Sequence, residues 1–367
     1  MQDFPQSLDL RRVRVLPLAE RDSLSKIDQV LVDPDGSPPL CSQPILEATA
    51  DCAQKINSAR KRGASVILMY GAHLIKNGAM GIVKRLLEGG WITHLATNGA
   101  GVIHDWELAF LGRTEESVRK NVVTGTFGTW DETGRYLHLA LLAGALREEG
   151  YGRSVGRFIA EDGVTLPETA WLKQALSEAP SPLLPARAEL LQAMLAHRLP
   201  PGRIEVKHAW KSSCLLAQAF NRNLPFTVHP GIGYDIIATH PMFNGAAIGR
   251  GADLDFRLFS RAVDGLDGGV VLSVGSAIMA PQVFEKSLSV VNNLRLQNGP
   301  GIVQDHHIYV VDVQDGGHWD WTKGEPPKDN PAYYLRFCKS FSRMGGAMHY
   351  VQSDNVVFLH HLLRQLA

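Results

Sequence analysis

The chain has little cysteine and no excess of either charge. Its four cysteines are spread over 367 residues without a CxxC pair, so neither a zinc ribbon nor a disulfide framework is predicted. Lys plus Arg and Asp plus Glu both number 37, so no overall field attracts nucleic acid or an anionic membrane. We therefore expect a protein of the reducing cytoplasm without a nucleic-acid partner.

Long apolar runs and the usual dinucleotide motif are also missing. No stretch of about 20 apolar residues occurs, and the N-terminal residues lack the basic start and apolar run of a secretion signal. We therefore expect no membrane partner. No GxGxxG motif is present, so an ordinary Rossmann dehydrogenase is not indicated.

Short apolar runs rich in β-branched residues predict buried strands. They are Ser65–Tyr70, Trp91–Ala96, Pro225–His229, Gly269–Val274, His307–Val313 and Ala347–Val351. Helical patterns lie between them, among them Ile45–Arg62, Leu74–Leu87, Pro281–Gln297 and Val356–Leu366, and the stretch from Glu115 to about Ala219 is mostly helical. This order predicts an α/β protein with a doubly wound, mostly parallel sheet, a Rossmann-like edge and a helical insertion. We expect an N-terminal extension at residues 1–40 and a single domain at 41–367.

Small residues follow four of the predicted strands. These turns are Tyr70-Gly71-Ala72-His73, Thr97 to Gly101, Val274-Gly275-Ser276-Ala277, and the segment HPGIGYD from His229 to Asp235. Taken singly, each turn is more often a packing feature than a phosphate site. Because parallel strands end at one edge of a sheet, the four together predict a nucleotide-sized cleft.

The run ILMYGAHLIKNG followed by ITHLATNGAGVIHDWELAFLG resembles the deoxyhypusine synthase family. PFTVHPGIGYD, VVLSVGSAIM and HIYVVDVQ resemble further segments of that family in the same order. The resemblance implies a Rossmann-like NAD-binding domain, a homotetramer, and spermidine oxidation with transfer of a butylamine unit through a lysine imine. It implies an NAD site made of Gly71, Ala72, Asn98, Gly99, Ala100, Gly101, Asp235, Gly275, Ser276 and Ala277.

The residues that carry the family's chemistry are mostly replaced. Ile103 and His104 stand where the family has two glutamates that hold the polyamine, although Asp105 matches. Losing two carboxylates removes two charge-assisted hydrogen bonds, each worth roughly 1.5–3 kcal/mol. The family's basic histidine falls near Pro281 and Gln282, and its glutamate before the lysine falls at the tyrosine pair 333–334. We therefore expect a small, neutral or anionic substrate in place of spermidine.

Lys339 corresponds to the imine-forming lysine of the family only after a one-residue shift. It is interpreted either as a retained covalent lysine, whose pKa would fall on burial beside an aromatic ring, or as a solvated helix-surface lysine. His104, Asp105 and His229 form a candidate acid/base group, because histidine titrates near neutral pH. The alternative is that these histidines cap helices or bond loop carbonyls.

Three other hypotheses stay open at this point. The chain could be a non-catalytic NAD- or nucleotide-binding protein, or a deoxyhypusine or homospermidine synthase with an altered site. A metal site is conceivable around His104, or at Asp312, Asp315 and His318, but no spacing is diagnostic and we predict none. The leading hypothesis is an NAD-linked enzyme for a small substrate, with or without imine transfer through Lys339.

Overall fold

The computed structural model describes residues 4–177, 180–299, 301–317 and 319–367. Ten strands occur in it: β1 (Ser25–Lys26), β2 (Val66–Tyr70), β3 (His94–Asn98), β4 (Arg113–Thr114), β5 (Gly163–Leu166), β6 (Gly202–Glu205), β7 (Phe226–His229), β8 (Val270–Val274), β9 (His307–Asp312) and β10 (Ala347–Gln352).

The helices connect these strands and cover them. They are α1 (Ile27–Val30), α2 (Gln43–Lys61), α3 (Ala72–Lys76), α4 (Met80–Glu88), α5 (Gly99–Leu111), α6 (Val118–Thr124), α7 (Asp131–Ala145), α8 (Tyr151–Ala160), α9 (Thr169–Leu176), α10 (Leu184–Ala196), α11 (Leu215–Asn221), α12 (Gly245–Asp264), α13 (Met279–Asn298), α14 (Arg336–Ser342) and α15 (Asn355–Leu366).

Six strands form one parallel sheet in the order β10-β9-β8-β2-β3-β7. The chain builds outward from β2 through β3 to β7, then returns to the other side of β2 with β8 and continues through β9 to β10. The direction of building reverses between β2 and β8, which is the topological switch point of a doubly wound sheet. The predicted fold class is confirmed.

Both faces of the sheet are buried, which explains why its strands are continuous apolar runs. All five residues of β2 are fully buried. Ile67 and Met69 belong to the core beneath α12, α13 and α14, whereas Val66, Leu68 and Tyr70 belong to the larger core on the opposite face. This alternation along one strand produces the two cores of a three-layer α/β structure.

Two small antiparallel pairs lie outside the main sheet. β1 pairs with β4, which ties the N-terminal segment to the end of α5, and β5 pairs with β6 within the helical middle of the chain. Leu18 and Ile27 of the N-terminal segment are buried in the larger core. Within the described ranges, no helix is long and apolar enough to cross a membrane.

The helix expected over Leu74–Leu87 is two helices in the structure. α3 ends at Lys76, and Gly78 follows with φ +76° before α4 begins at Met80. A Cβ on Gly78 would lie 1.7 Å from the carbonyl oxygen of Val30, so the N-terminal segment packs directly on this turn. The apolar spacing of the two helices is similar enough that the break is not evident from periodicity.

Candidate functional site

The turns after β2 and β8 meet at the switch point. The N–H of Gly71 donates to the carbonyl of Val274 at 3.2 Å, and the N–H of Gly275 donates to Val311 at 2.9 Å. A Cβ on Gly71 would lie 2.1 Å from the Gly275 carbonyl oxygen, and Gly275 has φ +58°. Glycine is required at position 71 by the contact between the two turns, and at position 275 it is favoured by the positive φ and by the Asn355 side chain, which a Cβ would approach to 2.9 Å.

Two helices begin directly beyond these turns. α3 starts at Ala72, immediately after Gly71, and α13 starts at Met279, with the Ser276 hydroxyl accepting from Ala280 N at 3.3 Å. The first turn of a helix leaves backbone N–H groups without intrahelical acceptors and carries partial positive charge. The switch point is therefore a suitable place for an anionic group.

The third turn starts α5 and already contains an anion. The Asn98 side chain accepts from Gly101 N at 2.9 Å as the helix cap. A Cβ on Gly99 would lie 2.0 Å from a carboxylate oxygen of Asp235, which also accepts from Gly231 N at 2.8 Å. Burial raises the pKa of Asp235 to about 6, with the Gly231 hydrogen bond opposing that rise. The positive end of α5 is thus occupied by Asp235.

A cavity of about 270 Å³ adjoins α5 at this edge of the sheet. It lies between α3, α5, the chain after β4 and the loop after β7. Its lining residues are Arg21, Lys76, Ala100, Ile103, His104, Glu107, Glu115, Glu116, Val118, Phe127, Tyr234, Asp235 and Ile236.

One wall of the cavity is a buried, fully paired charge network. Arg21 and Glu107 form a two-bond ion pair at 2.7 and 2.8 Å, and each side chain is 1% exposed. Glu107 also accepts from the hydroxyls of Thr114 at 2.6 Å and Thr133 at 2.9 Å. The Thr114 oxygen in turn lies 2.7 Å from Nδ1 of His104. His104 is therefore held in the cavity wall by a chain of hydrogen bonds.

The lining carries more carboxylates than cations, contrary to the expectation of a neutral or anionic ligand. Glu107 pairs with Arg21, and Glu115 pairs with Lys76 and accepts from Ser25. The other two lining carboxylates, Glu116 and Asp235, accept hydrogen bonds from neutral groups, including Gly128 N and Trp130 Nε1 for Glu116. With His104 neutral and all four carboxylates ionised, two negative charges are in excess.

Asp105 lies on the opposite side of α5 from this cavity. Its carboxylate accepts from the backbone N–H groups of Leu215 at 3.2 Å and Leu216 at 3.0 Å, and from Sγ of Cys214 at 3.2 Å. It caps the start of α11 and is 1% exposed. Burial raises the pKa of Asp105 to about 6, with these hydrogen bonds opposing. The structure does not bring Asp105 together with His104.

His229 ends β7 beneath α12 and is 9% exposed. Its ring lies edge-on to Phe259, with ring centroids 5.4 Å apart, and Nε2 lies 3.3 Å from the Thr227 hydroxyl. Burial lowers the pKa of His229 to about 4. His229 is packed on the core of the α12 face and does not line the cavity, whereas His73 is exposed on α3.

Lys339 lies on α14, which packs on α13 and β10. Three strands separate β10 from β3, so strand spacing alone places β10, on which α14 packs, roughly 19 Å from β3, the strand that precedes α5. The Lys339 ammonium pairs with Glu325 at 2.9 Å and lies 3.4 Å from the ring centroid of Tyr333. Glu325 raises the pKa of Lys339, which is opposite to the lowering that the interpretation as a covalent lysine requires.

Among the described residues, no three histidine, cysteine or carboxylate side chains are grouped to hold a metal ion. His318, named with Asp312 and Asp315 as a conceivable site, lies outside the described residues. Sequence reasoning missed the cavity residues Arg21, Lys76 and Glu115, and also Thr114, which contacts His104 and Glu107. The spacing of Glu107 from His104 on a helix was the one available signal.

Comparison with protein-family models gives no match, and none of the curated proteins matches. Among solved structures, unliganded AgrE aligns at 15% identity and TM-score 0.44, covering 89% of this chain and 33% of AgrE. AgrE has also been solved in a ternary complex with ornithine and NAD+. This chain spans about a third of AgrE's length.

Two further structures align over most of both chains. A conserved candidate LOR/SDH protein from Methanococcus maripaludis S2 shares 15% identity at TM-score 0.43, over 96% of this chain and 74% of that one. A candidate deoxyhypusine synthase from Entamoeba histolytica shares 10% identity at TM-score 0.37, over 88% and 89% of the two chains. At these identities and TM-scores the likenesses assign neither family nor activity.

Proposed function

We propose that this chain is an NAD-linked enzyme that oxidises a small substrate in the cavity beside α5. The observation that supports this is the edge of the sheet where the turns after β2 and β8 meet, together with a cavity against α3 and α5 that has a histidine in its lining. In open α/β sheets, ligands bind beyond the carboxyl ends of the strands at this position.

The switch point suits the pyrophosphate of a dinucleotide better than the α5 turn does. Backbone N–H groups around Ala72, and those of Ser276 and Ala277, would hold the phosphates near the starts of α3 and α13. Asp235 already lies at the start of α5, where a second anion would be repelled. Asn98 and Asp235 are therefore proposed as acceptors for ribose hydroxyls, with Gly99, Ala100 and Gly101 shaping the site.

NAD, when bound, supplies an acceptor for hydride. The residues of this chain would bind the substrate and manage its proton. His104 is the proposed proton acceptor, since it lines the cavity and burial lowers its pKa, which keeps the ring neutral and able to accept a proton. The two excess negative charges of the lining favour a small substrate with a cationic group over an anionic one.

Lys339 has no assigned part in this proposal. Its ammonium is paired with Glu325, and α14 packs on β10, which is distant from β3 in the sheet. An imine-forming lysine needs a free amine at neutral pH, which the raised pKa of Lys339 opposes. We therefore propose oxidation without imine transfer through Lys339. A substrate other than spermidine is proposed on a separate ground, namely that Ile103 and His104 replace the two adjacent glutamates that hold a polyamine in the deoxyhypusine synthase family.

A charge placed at the start of α3 tests the cofactor site. Ala72→Glu puts a carboxylate in the first turn, where it favours the helix but repels a phosphate. Calorimetric titration should show NAD binding to the wild-type protein below millimolar concentration and at least about tenfold weaker binding to A72E, equivalent to about 1.4 kcal/mol.

Ala170→Glu is the matched control, since Ala170 is exposed in the first turn of α9, in the helical middle of the chain. It should leave NAD affinity unchanged. If the wild-type protein does not bind NAD, or if both variants weaken binding equally, the proposed cofactor site is wrong. Incubation with spermidine and NAD is the companion assay, because rapid formation of NADH would overturn the exclusion of spermidine.

The second candidate is a non-catalytic NAD-binding protein. It is favoured by the structural roles of Asp105, which caps α11, and of His229, which packs beneath α12. NAD binding without turnover across a panel of small amines and alcohols would support it. Cytoplasmic location and a homotetramer stay predictions, the tetramer being testable by sedimentation.

A further inference from the structure

Hydrogen bonds link His104 through Thr114 to Glu107, and the charge of Glu107 determines which group donates in each bond. Nδ1 of His104 is 2.7 Å from the Thr114 hydroxyl oxygen, which is 2.6 Å from an oxygen of Glu107. Thr114 is fully buried and Glu107 is 1% exposed, so water does not compete for these bonds. The donor and the acceptor in each of these two hydrogen bonds can therefore be worked out from the protein groups alone.

Glu107 is the ionised end of the chain. Burial alone would raise the pKa of Glu107, but the ion pair and hydrogen bonds with Arg21, followed by smaller effects of His104 and Thr114, lower it. Arg21 donates one N–H to each carboxylate oxygen, and Thr133 donates to the oxygen that Thr114 does not contact. An ionised carboxylate has no proton to give, so Glu107 is an acceptor in all four bonds.

Thr114 must then donate its single proton to Glu107. At 2.6 Å, two oxygens without a proton between them would repel each other. With its proton committed, the Thr114 oxygen can only accept from His104, so Nδ1 carries the proton. Nε2 is left unprotonated, and within the described part of the chain it has no hydrogen-bond partner.

We propose that Thr114, oriented by Glu107, is a positioning residue that holds His104 in the Nδ1–H tautomer, so that Nε2 is the base that accepts the substrate's proton. The inference rests on the proposed function for its catalytic meaning, but not for the tautomer. A proton accepted at Nε2 leaves the Nδ1–H···Thr114 bond intact, so the ring needs no rearrangement. The same logic of a buried acceptor behind a histidine operates in hydrolase triads.

The charged groups around His104 allow this role. Burial lowers the pKa of His104; Glu107 and Glu115 oppose that shift, while Lys76 and Arg21 add to it. The ring is therefore neutral at pH 7, ready to accept a proton. Glu107 and Glu115 lie close enough to stabilise the imidazolium that would form.

The tautomer can be measured without cofactor or substrate. Long-range 1H–15N spectra of the full chain labelled at histidine, at pH 8, should show His104 with a protonated Nδ1 and an unprotonated Nε2. Its signals are identified by their loss in His104→Gln. A wild-type His104 in the Nε2–H form would overturn the proposal, and the one variant that this result needs is His104→Gln for the assignment.

Thr114→Val and Thr133→Val form a matched pair, because each removes one buried hydroxyl that donates to Glu107. Only T114V should move His104 toward the Nε2–H tautomer, while T133V and Thr114→Ser should keep the wild-type pattern. An unchanged tautomer in T114V, or the same change in T133V, would show that Thr114 does not set it.

Turnover gives the second readout once a substrate is found. H104Q should lower kcat by about 100-fold or more, as expected for loss of a general base. T114V should lower kcat with little change in KM, and T114S should restore it. The measured tautomer with no NAD binding would refute the proposed function alone, whereas NAD-dependent turnover unchanged in T114V would refute the positioning role alone.

Discussion

His104 and Lys339 are both candidate catalytic residues by sequence, yet their surroundings differ in kind. His104 is backed by a buried carboxylate that is satisfied by four donors, and burial keeps its ring neutral. Lys339 faces Glu325, which is 31% exposed and shared with Arg343. The first arrangement leaves a neutral imidazole, while the second keeps an ammonium charged. The two regions differ mainly in how deeply the partner carboxylate is buried, Glu107 for His104 and Glu325 for Lys339.

The largest difference between the regions should appear on removal of one cation from each. Arg21→Met leaves Glu107 buried without its ion partner, and breaking a buried pair costs about 3–5 kcal/mol. Lys339→Met leaves Glu325 paired with Arg343 at the surface, so the free energy of unfolding should be unchanged within error. Urea denaturation of both variants measures this. Equal losses would contradict the contrast between a buried and an exposed pair.

The two sides of α5 can be separated by Asp105→Asn. The amide keeps one acceptor oxygen but turns an NH2 group toward the N–H donors of α11, which should cost about 1–3 kcal/mol of unfolding free energy. Asp253→Asn, on the exposed side of α12, is the control and should cost nothing measurable. NAD affinity and turnover of folded D105N should equal those of the wild type. A loss of turnover matching that of H104Q would instead place Asp105 in the chemistry.

A smaller effect should come from the pH dependence that a buried histidine imposes. The pKa of His229 falls from 6.5 to about 4 on folding, so the neutral ring is favoured in the folded state. Its contribution to stability is present above pH 6.5 and is lost as pH falls toward 4. Between pH 7 and 5 the wild type should lose on the order of 1–2 kcal/mol more than His229→Gln. The exposed His73→Gln should keep the wild-type slope, and an equal slope in H229Q would contradict burial as the cause.

The sheet was predictable because each of its strands has a recognisable local sequence pattern. Six β-branched runs bounded by small residues predicted β2, β3, β7, β8, β9 and β10 to within a few residues. The expected strand Trp91–Ala96 is shifted to His94–Asn98. Trp91 lies outside the strand because its ring packs on Gly89 at the end of the preceding helix, where a Cβ on Gly89 would lie about 2 Å from the ring. Boundaries depend on such tertiary contacts, which periodicity does not contain.

The candidate site was only partly predictable for the same reason. The glycine turns and His104 follow predicted strands and could be named from local sequence. Arg21 lies 86 residues before Glu107, in a segment that was expected to be an N-terminal extension. No local sequence pattern links two residues so far apart. The role of Asp105 likewise depends on Cys214, which is distant in the sequence, and that of Lys339 depends on Glu325, which lies across a loop.

Gly71 and Gly275 join the two halves of the sheet through backbone atoms alone. Any side chain at position 71 would push into the Gly275 carbonyl and wedge the halves apart before it reached a ligand. Attempts to alter the proposed cofactor site must therefore leave these two glycines unchanged. The residues of that proposed site that are open to redesign are Asn98, Asp235 and Ser276, because their side chains do not lie between β2 and β8.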